Sequence, residues 1–285
     1  MYYFQSTWYS TGIIRRVLSS MKKIAIIGYG VVGKGMYKLL EKRFDVLFYD
    51  PAVDGSATKD ACNECDLAIV CVPSPMKEDG SCDISYVEES IAWLTTPLVL
   101  IKSTIPPGTT RMLREKYGKK VNFSPEYMGE SSYFTPFWKY PDPERAETHT
   151  FIIIGGDEAS EILNVFMKVM SVDTHYMATT AEEAEVTKYM ENSFFATKVS
   201  FCNEFFEIAK AYGVDYKKLR ELWLLDSRIN PNHTLVFEDK RGWGGKCYPK
   251  DLNAIIKAAE AQGYSPTLLK AVVQSNDEIK KKNGQ

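Results

Sequence analysis

The sequence is poor in several features that would narrow its function at once. It has only three histidines, His149, His175 and His233, and none stands at a metal-ligand spacing. Its charge is nearly balanced, 35 Lys and Arg against 37 Asp and Glu for a net −2. That balance excludes a bulk electrostatic grip on nucleic acid or on an anionic membrane surface. No uncharged apolar run approaches the roughly 18 residues a membrane span needs, so no membrane association is expected. Six cysteines in 285 residues are too sparse for a disulfide scaffold and fit a reducing, cytoplasmic setting. Cys62 and Cys65 form a Cys-x-x-Cys pair, but no second Cys or His pair completes it and Cys71 falls inside a strand pattern. No metal site is expected. Residues 1–20 carry no acidic side chain and no secretory apolar core. They read as a loosely attached extension, with the folded chain expected to begin at Met21.

What is present is a globular composition, 45% hydrophobic, enough to fill a core. Apolar β-branched runs recur at 22–29, 45–49, 66–72, 98–102, 121–123 and 151–154, with helical patterns between most of them. Alternating strands and helices predict an α/β fold with a parallel sheet and right-handed crossovers. The character changes near residue 178. Long helical patterns cover 180–212, 216–226, 252–261 and 266–282, and a Gly-, Asn- and Pro-rich loop fills 230–245. The expected organisation is an α/β domain over 21–178 and a mostly helical domain over 179–285.

Gly28-Tyr29-Gly30-Val31-Val32-Gly33 is a G-x-G-x-x-G loop between a strand and a helix, and Asp50 follows 22 residues after Gly28. Gly28 permits the tight turn, Gly30 lets backbone approach a pyrophosphate, and Gly33 lets helix pack on strand. Asp50 would accept hydrogen bonds from the adenosine ribose and repel a 2′-phosphate, which favours NAD over NADP.

Several further segments, in order, resemble the UDP-glucose/GDP-mannose dehydrogenases: VPSP at 72–75, KSTIPPGT at 102–109, SPEYMGE at 124–130, KYMEN at 188–192 and GGKCYPKD at 244–251. The resemblance implies a Rossmann-like doubly wound parallel sheet followed by a helical dimerisation region, hence a homodimer. It also implies oxidation of a nucleotide-sugar 6-hydroxyl to a carboxylate with two NAD⁺ and no metal. The sequence stops at Gln285, where such proteins continue into a nucleotide-binding domain; a separate chain supplying that domain is one alternative. The stretch after Glu130 is more aromatic than is usual, and Gly129 stands where an arginine is customary.

Roles are assigned on the same basis. Cys247 would add to the aldehyde and carry a thioester, with Lys246 and Lys250 favouring its thiolate. Lys188 and Asn192, four apart on one helix, would stabilise an oxyanion; the alternative is a solvated helix face. Asp251 would orient Lys188 or a water, or serve as a helix N-cap. Glu126 would activate the hydrolytic water, helped by Thr104. The resemblance places Gly28, Gly30, Val31, Val32, Gly33, Asp50, Pro73, Ser74, Thr104, Glu130 and Lys250 at the cofactor, and Glu126, Tyr127, Lys188, Asn192 and Gly244 at the substrate. A β-hydroxyacid dehydrogenase would need Lys188 and Asn192 but not Cys247; a non-catalytic nucleotide-binding relative is the remaining alternative. Trp223, Phe201, Phe205 and Phe206 read most simply as helix-packing residues, while Phe194, Phe195, Phe201, Phe205 and Phe206 together are more aromatic surface than one long helix needs, which suits dimerisation.

Overall fold

The computed structural model describes residues 21–128 and 146–284. Glu130 and the extension 1–20 lie outside the described residues, as does the aromatic stretch up to residue 145. The chain divides into two compact units. One comprises Met1–Ser74, Ile84–Thr104 and Gly108–Glu185; the other comprises Pro75–Asp83, Ile105–Pro107 and Val186–Gln285.

The first unit is built on a seven-stranded sheet: β1 (Lys23–Ile27), β2 (Asp45–Tyr49), β3 (Leu67–Val70), β4 (Leu98–Ile101), β5 (Val121–Phe123), β6 (Phe151–Gly155) and β7 (His175–Thr179). The helices between strands are α1 (Val31–Leu40), α2 (Lys59–Asn63), α3 (Ser85–Trp93), α4 (Thr109–Tyr117) and α5 (Ala159–Phe166). The order is β2-β1-β3-β4-β5-β6-β7. β1, β3 and β4 are continuous apolar runs because helices cover both faces of a parallel sheet. The chain leaves β1 for β2 on one side and returns to β3 on the other. That reversal opens a crevice outside the carboxyl ends of β1 and β3.

One joint departs from the expected all-parallel sheet: β5 and β6 run antiparallel, and β6 and β7 are parallel again. Fully buried Asn122 ties that joint. Its Oδ1 accepts from Glu158 N at 3.1 Å, its Nδ2 donates to Glu158 Oε2 at 3.2 Å, and Arg114 reaches the same carboxylate at 2.7 Å. β7 was not expected from sequence. Its residues HYMAT are mostly exposed at the sheet edge, so no apolar run marks them.

α6 (Ala181–Ala211) begins in the first unit and continues into the second, which adds α7 (Tyr216–Trp223), α8 (Tyr248–Ala261) and α9 (Thr267–Lys282). Helix α8 starts four residues before the expected Leu252, so Cys247 is its N-cap and Asp251 lies in its first turn. Asp251 is therefore not the N-cap; Pro249 fits the first turn because its missing N–H would lack a helical partner there. No helix among the described residues is long and apolar enough to cross a membrane.

Within the first unit, the buried Glu185 carboxylate caps α4 across a long stretch of sequence. Its Oε2 accepts from Gly108 N at 2.6 Å, and its Oε1 accepts from Thr110 N at 2.8 Å and Thr110 Oγ1 at 2.6 Å. The open N–H groups of a helix N-terminus stand in for a cation there. Glu185→Ala orphans these donors and should lower the stability read by urea unfolding by about 3 kcal/mol. Glu185→Gln should cost about half as much, because one amide oxygen still accepts; equal losses for the two variants would contradict this account.

Candidate active site

The glycine loop sits at the carboxyl end of β1, at the crevice. Gly28 has φ +90°, and a Cβ there would lie 2.8 Å from the Cys71 carbonyl oxygen. A Cβ at Gly33 would meet the Gly28 carbonyl oxygen at 2.0 Å. Both glycines are thus required by backbone packing alone. Gly30 differs: it is exposed, a Cβ there would meet nothing within 4 Å, and it caps α1 without a side-chain hydrogen bond. This leaves open backbone and a helix N-terminus, which is what a pyrophosphate needs. Asp50 is fixed beside the loop, its Oδ2 accepting from Tyr29 N at 2.8 Å and its Oδ1 from Ala52 N at 3.0 Å. Pro73 and Ser74 follow β3 on the other side of the crevice. These residues fit a bound dinucleotide.

Deeper in the same unit, Lys102 follows β4 and Glu126 follows β5. Both are buried, with Lys102 Nζ 3.2 Å from Glu126 Oε2. Lys102 also donates to the Pro125 carbonyl at 2.9 Å and to Ser124 Oγ at 3.3 Å, while Glu126 Oε1 accepts from Met128 N at 2.5 Å. His149 lines the small cavity at this pair, and burial holds its pKa below the usual imidazole value. Tyr127 packs edge-on against Phe151, with centroids 4.9 Å apart. Thr104 is half-buried just beyond Ser103, whose hydroxyl donates to the Val72 carbonyl at 2.6 Å.

In the second unit, Lys188 and Asn192 share a face of α6 and are both buried, so that face is not a solvated one. Asn192 Nδ2 donates to Asp251 Oδ2 at 2.5 Å, and Lys250 Nζ donates to Asp251 Oδ1 at 2.6 Å. Asp251 is only 1% exposed. Both its oxygens are engaged, and Asn192, expected as an independent oxyanion donor, is held by it. Lys250, expected at the cofactor, is the cation of this pair. Cys247 is exposed at the head of the same helix. The other five cysteines are buried or half-buried, and burial raises Cys62 and Cys65 to about 11. Among the described residues no cluster of His, Cys, Asp and Glu could hold a metal ion.

The stretch from α7 to Cys247 has little regular structure but is strapped along α6 and α7. Lys198 donates to the Asn230 carbonyl. His233, a non-glycine residue at φ 62°, stacks on Phe195 with centroids 4.3 Å apart, and its Nε2 lies 2.9 Å from Tyr248 Oη. Arg220 and Tyr216 hold Thr234. Arg241 is buried against Asn203, Glu207 and the Phe206 ring. Trp243 Nε1 donates to Ser200 Oγ at 2.9 Å. Gly244 follows at the start of the GGKCYPKD segment. None of these anchors was foreseen, since each links residues far apart in sequence; only the Gly-rich composition marked the loop.

Residues 52–166 match the NAD binding domain of the UDP-glucose/GDP-mannose dehydrogenase family, and residues 182–278 match its central domain. The chain belongs to that family. The UDP-glucose 6-dehydrogenase AglM of Haloferax volcanii is 34% identical over 236 residues, covering 74% of this chain and 52% of that protein. The UDP-glucose 6-dehydrogenase of Pseudomonas aeruginosa is 32% identical, covering 75% and 49%. The chain thus spans about half the length of these curated relatives. Among solved structures, a UDP-glucose dehydrogenase from Pyrobaculum islandicum superposes with a TM-score of 0.75 at 27% identity, covering 95% of this chain and 70% of that one. A UDP-D-ManNAc dehydrogenase from Pyrococcus horikoshii, at 22% identity and a TM-score of 0.71, shares the fold. The first domain binds NAD, as the family's NAD binding domain does. The matched span begins after Gly28–Gly33 and Asp50, so their part in this family member rests on the loop geometry.

Burial lowers the pKa of both His149 and His233, and for His233 the Lys198 cation adds to the effect. The unfolded chain releases both rings to an ordinary value of about 6.5. Below that value it binds more protons than the folded state, so folding stability falls as pH drops through about 6.5. Urea midpoints measured from pH 7.5 to 5.5 should decline, and less steeply in His233→Asn, whose side chain tolerates positive φ. An unchanged slope in that variant would remove His233 from this account.

Proposed function

We propose that the protein oxidises the 6-hydroxyl of a nucleotide sugar, UDP-glucose or a close analogue, to the carboxylate with NAD⁺. The observation that carries this reading is the head of α8. There exposed Cys247 stands at the N-cap position of a helix whose first turn holds Asp251 against Asn192, one helical turn along α6 from buried Lys188. Two relatives named as UDP-glucose 6-dehydrogenases support the substrate. When bound, NAD⁺ accepts one hydride in each oxidation.

The chain's own groups account for the rest. Lys188 and Asn192 stabilise the alkoxide and the later tetrahedral oxyanions. Asp251 holds Asn192 in place and, through Lys250, keeps its own charge balanced. Cys247 thiolate adds to the aldehyde carbon, giving a thiohemiacetal, and loss of the second hydride leaves a thioester. Water attacks the thioester carbon, Glu126 takes its proton, and the Cys247 thiolate leaves. One alcohol, two NAD⁺ and one water give one carboxylate, two NADH and three protons.

Incubating the protein with NAD⁺ and a panel of nucleotide sugars, with NADH followed by absorbance, tests the activity. Cys247→Ser should stop acid formation, because a hydroxyl is far less ionised than a thiol near neutral pH. Glu126→Gln should let an acyl adduct build up on Cys247, visible by intact-mass spectrometry. Two NADH per sugar at the wild-type rate from Cys247→Ser would refute the thioester route.

The active form proposed is a homodimer. Val186, Met190, Phe194, Phe201, Phe205 and Ile208 are all exposed on α6 at helical spacing, an apolar row that a second copy would cover. Phe195 and Phe206, also expected in that surface, instead pack on His233 and Tyr216. Light scattering should give about twice the 32.4 kDa chain mass. Phe194→Glu should shift the protein toward monomer; a monomeric wild type at micromolar concentration would refute the dimer.

A further inference from the structure

We infer that Asn276, on α9, is a positioning residue for the loop that presents Cys247. The inference rests on the reading of Cys247 as the reacting thiol, but its test does not use turnover. Asn276 is 2% exposed. Its Oδ1 accepts from Trp243 N at 2.7 Å, and its Nδ2 donates to the Trp243 carbonyl at 3.2 Å. This double pairing makes one amide side chain act like a neighbouring strand, fixing both polar groups of a single loop residue. The fit is close: Gly242 has φ +71°, and a Cβ there would sit 2.5 Å from Asn276 Oδ1. Trp243 itself is buried with Ala196, Leu252 and Val272, so its backbone and its ring are held by different helices. Four residues after Trp243 the chain reaches Cys247 and turns into α8.

The pairing links the last described helix to the thiol. α9 has no residue in the Asn192–Asp251–Lys250 cluster; beside its apolar packing through Val272, its hydrogen-bonded tie to the loop before the thiol runs through Trp243. The loop preceding Cys247 is otherwise rich in glycine, with Gly242 and Gly245 both at positive φ. Such a segment does not hold its own shape, so the thiol's place at the head of α8 is set by external anchors.

The test compares wild type with Asn276→Ala by amide exchange and by site-resolved iodoacetamide labelling of all six cysteines. Removing one partner of a buried hydrogen-bonded pair should speed exchange at Trp243–Cys247 about tenfold. Labelling of Cys247 should slow about two- to fivefold, because a loosened thiol spends less time at the helix N-terminus. Labelling of buried Cys202, in the same unit, should not change. Unchanged exchange at Trp243–Cys247 would overturn the inference. So would labelling of Cys202 and Cys247 rising together, since Asn276 would then be only a stability residue. If Asn276→Ala does not fold, Asn276→Asp decides. It keeps the acceptor for Trp243 N but turns a carboxylate oxygen toward the Trp243 carbonyl in place of the donor, so the same local changes should appear at least as strongly, and their absence would overturn the inference. Failure of the Cys247 mechanism would show separately, as continued acid formation by Cys247→Ser with the loop effects intact.

Discussion

A carboxylate almost wholly removed from water is the constraint around which the second unit is organised. Asp251 cannot keep its charge in that position without partners, since an uncompensated buried charge costs several kcal/mol. Lys250 supplies the opposite charge from the adjacent residue, and Asn192 supplies a donor from α6. Because Asp251 lies in the first turn of α8, satisfying it fixes the start of that helix against α6. Cys247, as the N-cap, is fixed with it. Replacing Asp251 with an apolar residue could leave a stable helix pair, but Asn192 would lose what orients it. The cluster is better explained by positioning than by stability.

The first unit solves the same problem twice, differently each time. Among the described residues Glu185 has no cation as a hydrogen-bond partner. It rests on the N–H groups of α4 and on Thr110, and burial outweighs these bonds enough to raise its pKa. Glu126 instead faces the buried ammonium of Lys102, itself held by Ser124 and Pro125. A helix N-terminus secures one carboxylate and a buried ammonium the other, two different ways of satisfying a negative charge away from water. The KST and SPE segments, adjacent only in the folded sheet, make that pair because β4 and β5 are neighbouring parallel strands.

This separates what the residues disclosed from what they did not. β1 to β6 were legible because buried parallel strands are uninterrupted apolar runs, and the glycine loop was legible because its spacing follows from backbone sterics. β7 was illegible because an exposed edge strand has no such run. The start of α8 was misplaced because GGKCYPKD reads as loop chemistry, although Pro249 is acceptable in a first turn. Lys188, Asn192, Asp251 and Cys247 were visible as residue types, but not the bonds among Asn192, Asp251 and Lys250. Arg241, Trp243 and Asn276 gave no signal at all. A lone Asn in a helix ordinarily reads as solvent-facing, and only the fold reveals 33 residues of separation closed by two hydrogen bonds.

Those silent anchors explain how a glycine-rich loop can hold a defined shape. Glycine lets the chain take positive φ at 242 and 245 and so deliver a thiol to the head of a helix, but it also leaves the segment entropically costly to order. The structure offsets that cost with side chains from elsewhere rather than with local stiffness. Arg241 is buried on α6, Trp243 is held by α6 and α9, and Tyr248 is held through the His233 ring. The strained backbone of His233 belongs to the same arrangement, since its ring is gripped on one face by Phe195 and at Nε2 by Tyr248. Flexible backbone provides the shape, and distant rigid helices hold it there.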